Sequence, residues 1–286
     1  METIPTQGDV ARTPPAVDVG AALVALARCA PAAVVAIVLL HAHLGVNAAC
    51  RYAALPWCAP VPATADYVGS RGFHLATALS VAVGAAAAAV AAAIVVPALA
   101  ARWPGAGSAE RVGGRSVHPI AVWGRALAIE AVFVAVALPG FAIAGWLAVR
   151  RGSFGPGSAD WAAVSQAQTI YLAVTSIALA PLHALWLAKA LGADQPVGAA
   201  LRGAAAALAR WPAAVGGPLV VLALLRPDHL VALATPAGRD DLVYAVLAHP
   251  IGPPVVTLAY AALVVAGWAV AVGLARQAEP LGAPAS

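Results

Sequence analysis

Charge is what this sequence has least of. Acidic and basic residues together make up 10% of its 286 residues, against about a quarter in an ordinary soluble domain. There is a single lysine, Lys189, and a single asparagine, Asn47, which is not in a glycosylation sequon. So few charges cannot cover the surface of a water-soluble protein of this length, and that class is excluded. Motifs are missing as well. The chain has no P-loop, no G-x-G-x-x-G fingerprint, no G-x-S-x-G elbow, no paired acidic motif, no HExxH and no Cys/His zinc pattern. The familiar routes to enzymatic chemistry are therefore closed, and neither a cofactor nor a metal is expected. No basic run is interleaved with aromatics, so the pI of about 9.3 reads as loop arginines meeting anionic headgroups rather than as a nucleic-acid surface.

What the chain has is apolar length. Hydrophobic residues make up 62% of it and the mean hydropathy is +0.87. A bilayer-crossing helix needs roughly 20 apolar residues, because the hydrocarbon is ~30 Å thick and each residue rises ~1.5 Å. Six stretches meet that requirement: Ala30 to Ala49, Leu75 to Ala100, Ile129 to Val149, Ala162 to Leu185, Ala205 to Leu225 and Val255 to Ala275. Backbone groups in lipid must be satisfied within the segment, and the alternating pattern of a barrel strand is absent. The expected fold is thus all-α, a polytopic integral membrane bundle of about six transmembrane helices with short interfacial helices. Residues 1–20 read as a polar, disordered tail, 21–276 as one transmembrane domain and 277–286 as a short C-terminal tail. The tail before the first span lacks the positive region of a signal peptide, so that span is expected to remain as an anchor.

Irregularities are expected at three places. The fifth span holds Arg210, Pro212, Gly216, Gly217 and Pro218 and should be kinked, re-entrant or partly interfacial. A five-span chain would leave the termini on opposite sides. Gly198 to Trp211 and Val117 to Ala128 read as surface-lying helices, the second separate from the third span. Trp57, Trp103, Trp123, Trp146, Trp161, Trp186 and Trp211 fall near span ends, as an interfacial belt requires. The alanine-rich second span, with Gly84, suits central packing or a subunit contact.

Orientation follows loop Lys and Arg. With the N-terminus inside, Arg12, Arg102, Arg111, Arg115, Lys189, Arg202, Arg210 and Arg276 face the cytoplasm, and Arg51, Arg71, Arg150, Arg151, Arg226 and Arg239 face out. The majority favours both termini in the cytoplasm, and the arginine-rich, alanine-rich composition favours a bacterial cytoplasmic membrane. That topology puts Cys50 and Cys58 in an outer loop, where a disulfide could form.

Ionisable groups inside a membrane are costly and mark candidate sites. Glu130 lies about one turn inside the third span. Arg125, five residues earlier, is poorly spaced for an intrahelical pair, so a partner on another helix is expected. On the fourth span Ser165, Thr169, Ser176 and His183 recur at spacings of four, seven and seven, along one face. The stripe would either line a polar path or act as interhelical hydrogen-bond glue. His41 and His43, two apart, should point to different faces, which argues against a metal or haem site.

Short loops, few buried charges and much small-residue surface point first to an accessory, assembly or envelope-homeostasis component with no catalytic role. Its partners would be the lipid bilayer and a membrane protein or a second copy. The alternative is a small secondary transporter or channel subunit using Glu130 and the fourth-span stripe. An intramembrane lipid enzyme with His183 as general base is a third reading.

Overall fold

The structure is a computed structural model that describes residues 14–52, 71–104, 118–151, 159–227 and 252–277. Side chains are described over 14–43, 81–104, 118–136, 170–227 and 254–277. The described residues are about 90% helical, with no strand among them. The helices are α1 (Val19–Arg28), α2 (Ala30–Tyr52), α3 (Arg71–Arg102), α4 (Pro119–Arg151), α5 (Ala159–Leu187), α6 (Val197–Arg210), α7 (Gly217–Leu224) and α8 (Gly252–Gln277). Two π-helical turns, Ala188–Gly192 and Pro212–Gly216, follow α5 and α6. Four helices are long and apolar enough to cross a membrane alone, and up to six crossings result when each bent pair is one span.

Both bends fall at a proline. Asp18 starts α1 by accepting the Ala21 N–H at 2.8 Å, as an N-cap should. Ten residues later the chain turns by 88° into α2, where Pro31 can neither donate to the preceding turn nor fit against its carbonyl. The second bend, 115° between α6 and the segment ending in α7, falls at Trp211 and Pro212 for the same reason. Proline alone does not decide the outcome, since Pro97 and Pro181 sit inside unbroken helices. The helix α1 was not foreseen, because its apolar residues run straight into those of the first span.

Small side chains take a large share of the interior: Ala22, Ala25, Ala36, Ala89, Ala92, Val95, Val96, Ala126, Ala200, Ala204, Ala261 and Ala269 are all buried, beside larger ones such as Leu99, Ile129, Leu185, Leu187 and Leu274. Many other large apolar side chains point outward, among them Leu23, Val34, Val35, Val38, Ile120, Val132, Val174, Val221 and Leu258. Lipid tails compete equally well for large apolar groups, so helices gain most from close approach through small ones. The alanine-rich α3 accordingly packs against α1, α2, α4, α8 and the first π turn. At Gly84 α3 comes close to α2, where an added Cβ would stand 2.6 Å from His43 Nε2.

Three expectations are corrected. Val117 to Ala128 is not a separate surface helix, because α4 runs unbroken over 33 residues from Pro119, about 50 Å. It exceeds the hydrocarbon thickness and must tilt or project. Ala205 to Leu225 is not one continuous helix: Ala205 to Arg210 ends α6, and the chain bends by 115° into the segment from Pro212. Trp186 is no belt residue: it is 4% exposed and donates from Nε1 to the Val197 carbonyl at 2.7 Å, tying the start of α6 to α5. At one end of the bundle the Ala16 N–H donates to Gln277 Oε1 at 2.9 Å, which places the entry to α1 beside the exit from α8.

Gly84→Leu should lower stability by about 1–3 kcal/mol, the usual cost of overpacking, because His43 must leave its seat or α2 and α3 must separate. Thermal unfolding in detergent, compared with an exposed control such as Val38→Leu, measures this.

Candidate functional site

Glu130 sits on the face of α4 that carries Ala126 and Ile129, both fully buried, and it is itself 8% exposed. Its Oε1 lies 2.9 Å from His183 Nε2 on α5. Phe133, three residues after Glu130, meets the imidazole edge-on with ring centroids 4.4 Å apart, and the indole of Trp186 lies 6.2 Å from the Phe133 ring. The sequence puts all four in register. Glu130 and Phe133 are three apart on α4, His183 and Trp186 three apart on α5, and such spacing stacks side chains on one face.

The contact needs a proton between its two atoms. Either the imidazole donates from Nε2 to a carboxylate, or a protonated carboxyl donates to an unprotonated Nε2. An uncompensated carboxylate at this depth would be expensive, and the pair avoids that cost while fixing α4 against α5. Toward the other end of the same helix pair, the Tyr171 hydroxyl donates to the Val136 carbonyl at 3.3 Å.

Arg125 takes no part in the pair. Its guanidinium ion-pairs with Asp194 and reaches the Ala190 carbonyl at 3.4 Å, so it clamps α4 to the π turn after α5. Asp194 adopts φ of 52°, the left-handed region that Asp and Asn tolerate better than most residues. Ser176 donates to the Ala173 carbonyl of its own helix at 3.2 Å. The side chains of Ser165 and Thr169 lie outside the described residues, as do those of Cys50 and Cys58.

His41 and His43 diverge. His41 Nδ1 lies 2.7 Å from Thr257 Oγ1 on α8, whereas His43 packs on Gly84 of α3. Among the described residues no group of three or more His, Cys, Asp or Glu is placed to hold a metal ion.

The residue that sequence reasoning passed over is Lys189. It reads as a loop charge at a span end, yet it is 5% exposed. Its stem lies under α6 at Gly203, where an added Cβ would be 3.3 Å from Cδ and 3.5 Å from Cε. The available signal was the glycine interrupting the alanines of α6, a gap that only a side chain from another element could fill.

Compared with known proteins, the chain matches no family model, no curated protein and no solved structure.

Replacing His183 by alanine should cost about 1–3 kcal/mol, since it strands the buried Glu130, and Glu130→Ala should cost less, because the His183 it leaves behind is only half-buried. The double replacement Glu130→Leu with His183→Leu should cost less than the sum of the single leucine variants, because apolar groups in both positions leave nothing unsatisfied. A double-mutant cycle on thermal unfolding reads the coupling. Asp194→Asn, which keeps tolerance of the left-handed backbone but removes the charge, should cost no more than about 1 kcal/mol at this partly exposed site. A larger loss in the same assay would show that the clamp on the π turn matters more than its exposure indicates.

Proposed function

We propose that this chain is a non-catalytic, multi-pass membrane protein that serves as an accessory or assembly component or in envelope homeostasis. The observation that carries the reading is the closure of the Glu130–His183 pair. The best-placed intramembrane acid and the best-placed histidine satisfy each other at 2.9 Å, with aromatic rings beside them. An acid that handles a transported ion would instead face a polar opening, whereas one that holds two helices together is closed off in this manner.

The membrane is a bacterial cytoplasmic membrane, with both termini in the cytoplasm. Supporting that orientation, the end of the bundle where α1 begins and α8 ends carries Arg28, Arg102, Arg125, Lys189, Arg202, Arg210 and Arg276 against Asp18 and Asp194 among the described residues. An excess of this sign is what the cytoplasmic side of a membrane protein accumulates.

Reconstituted proteoliposomes bearing a pH gradient test the function. The expected result is that the protein dissipates the gradient no faster than empty vesicles, and that Glu130→Gln restores the phenotype of a deletion strain while Gly84→Leu does not. Proton- or cation-dependent flux that Glu130→Gln abolishes would overturn the reading in favour of a transporter or channel subunit. For orientation, a C-terminal green fluorescent protein fusion should fluoresce and a C-terminal alkaline phosphatase fusion should be inactive; the reverse pattern places the C-terminus outside.

A further inference from the structure

The end of the bundle where α1 meets α3 holds a cavity of about 300 Å³ lined by Arg28, Ala101, Arg102 and Trp103. Its two arginines come from different helices: Arg28 closes α1 just before the 88° bend, and Arg102 closes α3. Both are exposed, and neither forms an ion pair or side-chain hydrogen bond with another described residue. Two arginines lining one cavity raise the local positive potential and favour an anion there. The Ala100 carbonyl, at the negative end of α3, does not supply it: that oxygen already accepts Arg276 Nη1 at 3.1 Å and the Trp103 N–H at 3.4 Å.

The third wall is fixed by a glycine. At Gly273 of α8 an added Cβ would stand 2.6 Å from Cζ2 and 2.7 Å from Cη2 of Trp103. Only an absent side chain there lets the indole come this close to α8, and Trp103 also lines the cavity.

Beside the cavity, α1 contributes Arg28. This helix turns away from the axis of α2 and presents small residues, Ala22 and Ala25, to the bundle while Val19, Leu23 and Val24 point away from it. Those outward apolar side chains offer a surface that acyl chains can cover, and an arginine and an indole beside them are side chains suited to meeting headgroups.

We infer that Arg28, Arg102 and Trp103 form a binding site for a phosphate-bearing anion, supplied by the headgroup of an anionic phospholipid. The two guanidiniums hold the phosphate by charge-assisted hydrogen bonds, the indole flanks the glycerol region, and the acyl chains run along the outward apolar face of α1. Basic pockets between membrane helices recognise anionic headgroups by this chemistry.

The test is native mass spectrometry of the full chain in detergent micelles, titrated with dioleoyl phosphatidylglycerol or with zwitterionic dioleoyl phosphatidylethanolamine. The wild-type chain should retain one phosphatidylglycerol at low lipid excess, and Arg28→Gln with Arg102→Gln should weaken that binding on the order of tenfold or more with phosphatidylethanolamine unchanged. Arg28→Lys with Arg102→Lys should bind better than the glutamine pair, because charge survives although bidentate geometry does not. Equal phosphatidylglycerol retention in wild type and in a monodisperse glutamine pair would overturn the site. Should that pair not be monodisperse, the single Arg28→Gln variant at the exposed helix end decides, and retention equal to wild type again overturns it. Displacement of the lipid by millimolar inorganic pyrophosphate would overturn the lipid assignment and make the natural anion a soluble one.

Discussion

Helices in a bilayer gain nothing from hiding apolar surface from one another, because the tails around them are as apolar as leucine. Their association rests on close backbone contact and on a few polar links, and this chain shows both. Ala89, Ala92 and Val95 of α3 are fully buried, while branched residues such as Val34 and Val38 of α2 face outward. Where backbones approach, a polar group crosses between them: Glu130 to His183 between α4 and α5, His41 to Thr257 between α2 and α8, and Arg276 to the Ala100 carbonyl between α8 and α3. The helices of the bundle are thus tied by a small number of specific contacts laid over a close-packed alanine interior.

The polar links are unevenly distributed along the bundle. Arg125, Asp194, Lys189 and both π turns gather near one end, with Glu130 only five residues further along α4 than Arg125. Both proline bends are at this end too, so α1 and α6 leave the bundle axis there. A π turn and a bent helix each leave backbone groups without their regular partners. The Arg125 contact with the Ala190 carbonyl and the Gln195 N–H donated to the Lys189 carbonyl at 3.3 Å supply partners in the first π turn. Irregular backbone at membrane depth persists where protein covers it in this way.

The spans were legible because backbone satisfaction in lipid demands long apolar runs, and such runs are visible without any knowledge of packing. The first span starts at Ala30 as expected, and the fourth, read as Ala162 to Leu185, corresponds to α5 from Ala159 to Leu187. Lateral structure was far less legible. That Glu130 meets a residue 53 positions away depends on how α4 and α5 are rotated about their axes, which no local pattern encodes. Arg125 misled in a specific way. A charge at that position reads as a membrane boundary, but with Asp194 beside it the helix carries the charge without interruption. Trp186 misled likewise, since an indole near a span end marks an interface only when nothing folds over it, and α6 does.

Lys189 shows how that covering helix is accommodated. An ammonium under a helix is costly to bury, but a lysine stem is a flexible apolar chain that fills space well. Gly203 admits the stem, and the flanking buried Ala200, Ala204 and Ala207 bring α6 down onto α5 and the π turn. Had residue 203 carried a side chain, the stem would have had to move aside or α6 to rise. The π turn contributes in the same direction: its extra residue per turn shifts the positions after Leu187 around the helix axis, so that Lys189 points beneath α6 while Gly192 packs against Ala100 and Val96 of α3. Backbone irregularity, a missing side chain and one long aliphatic cation together let a bent-away helix close over the end of an otherwise regular bundle.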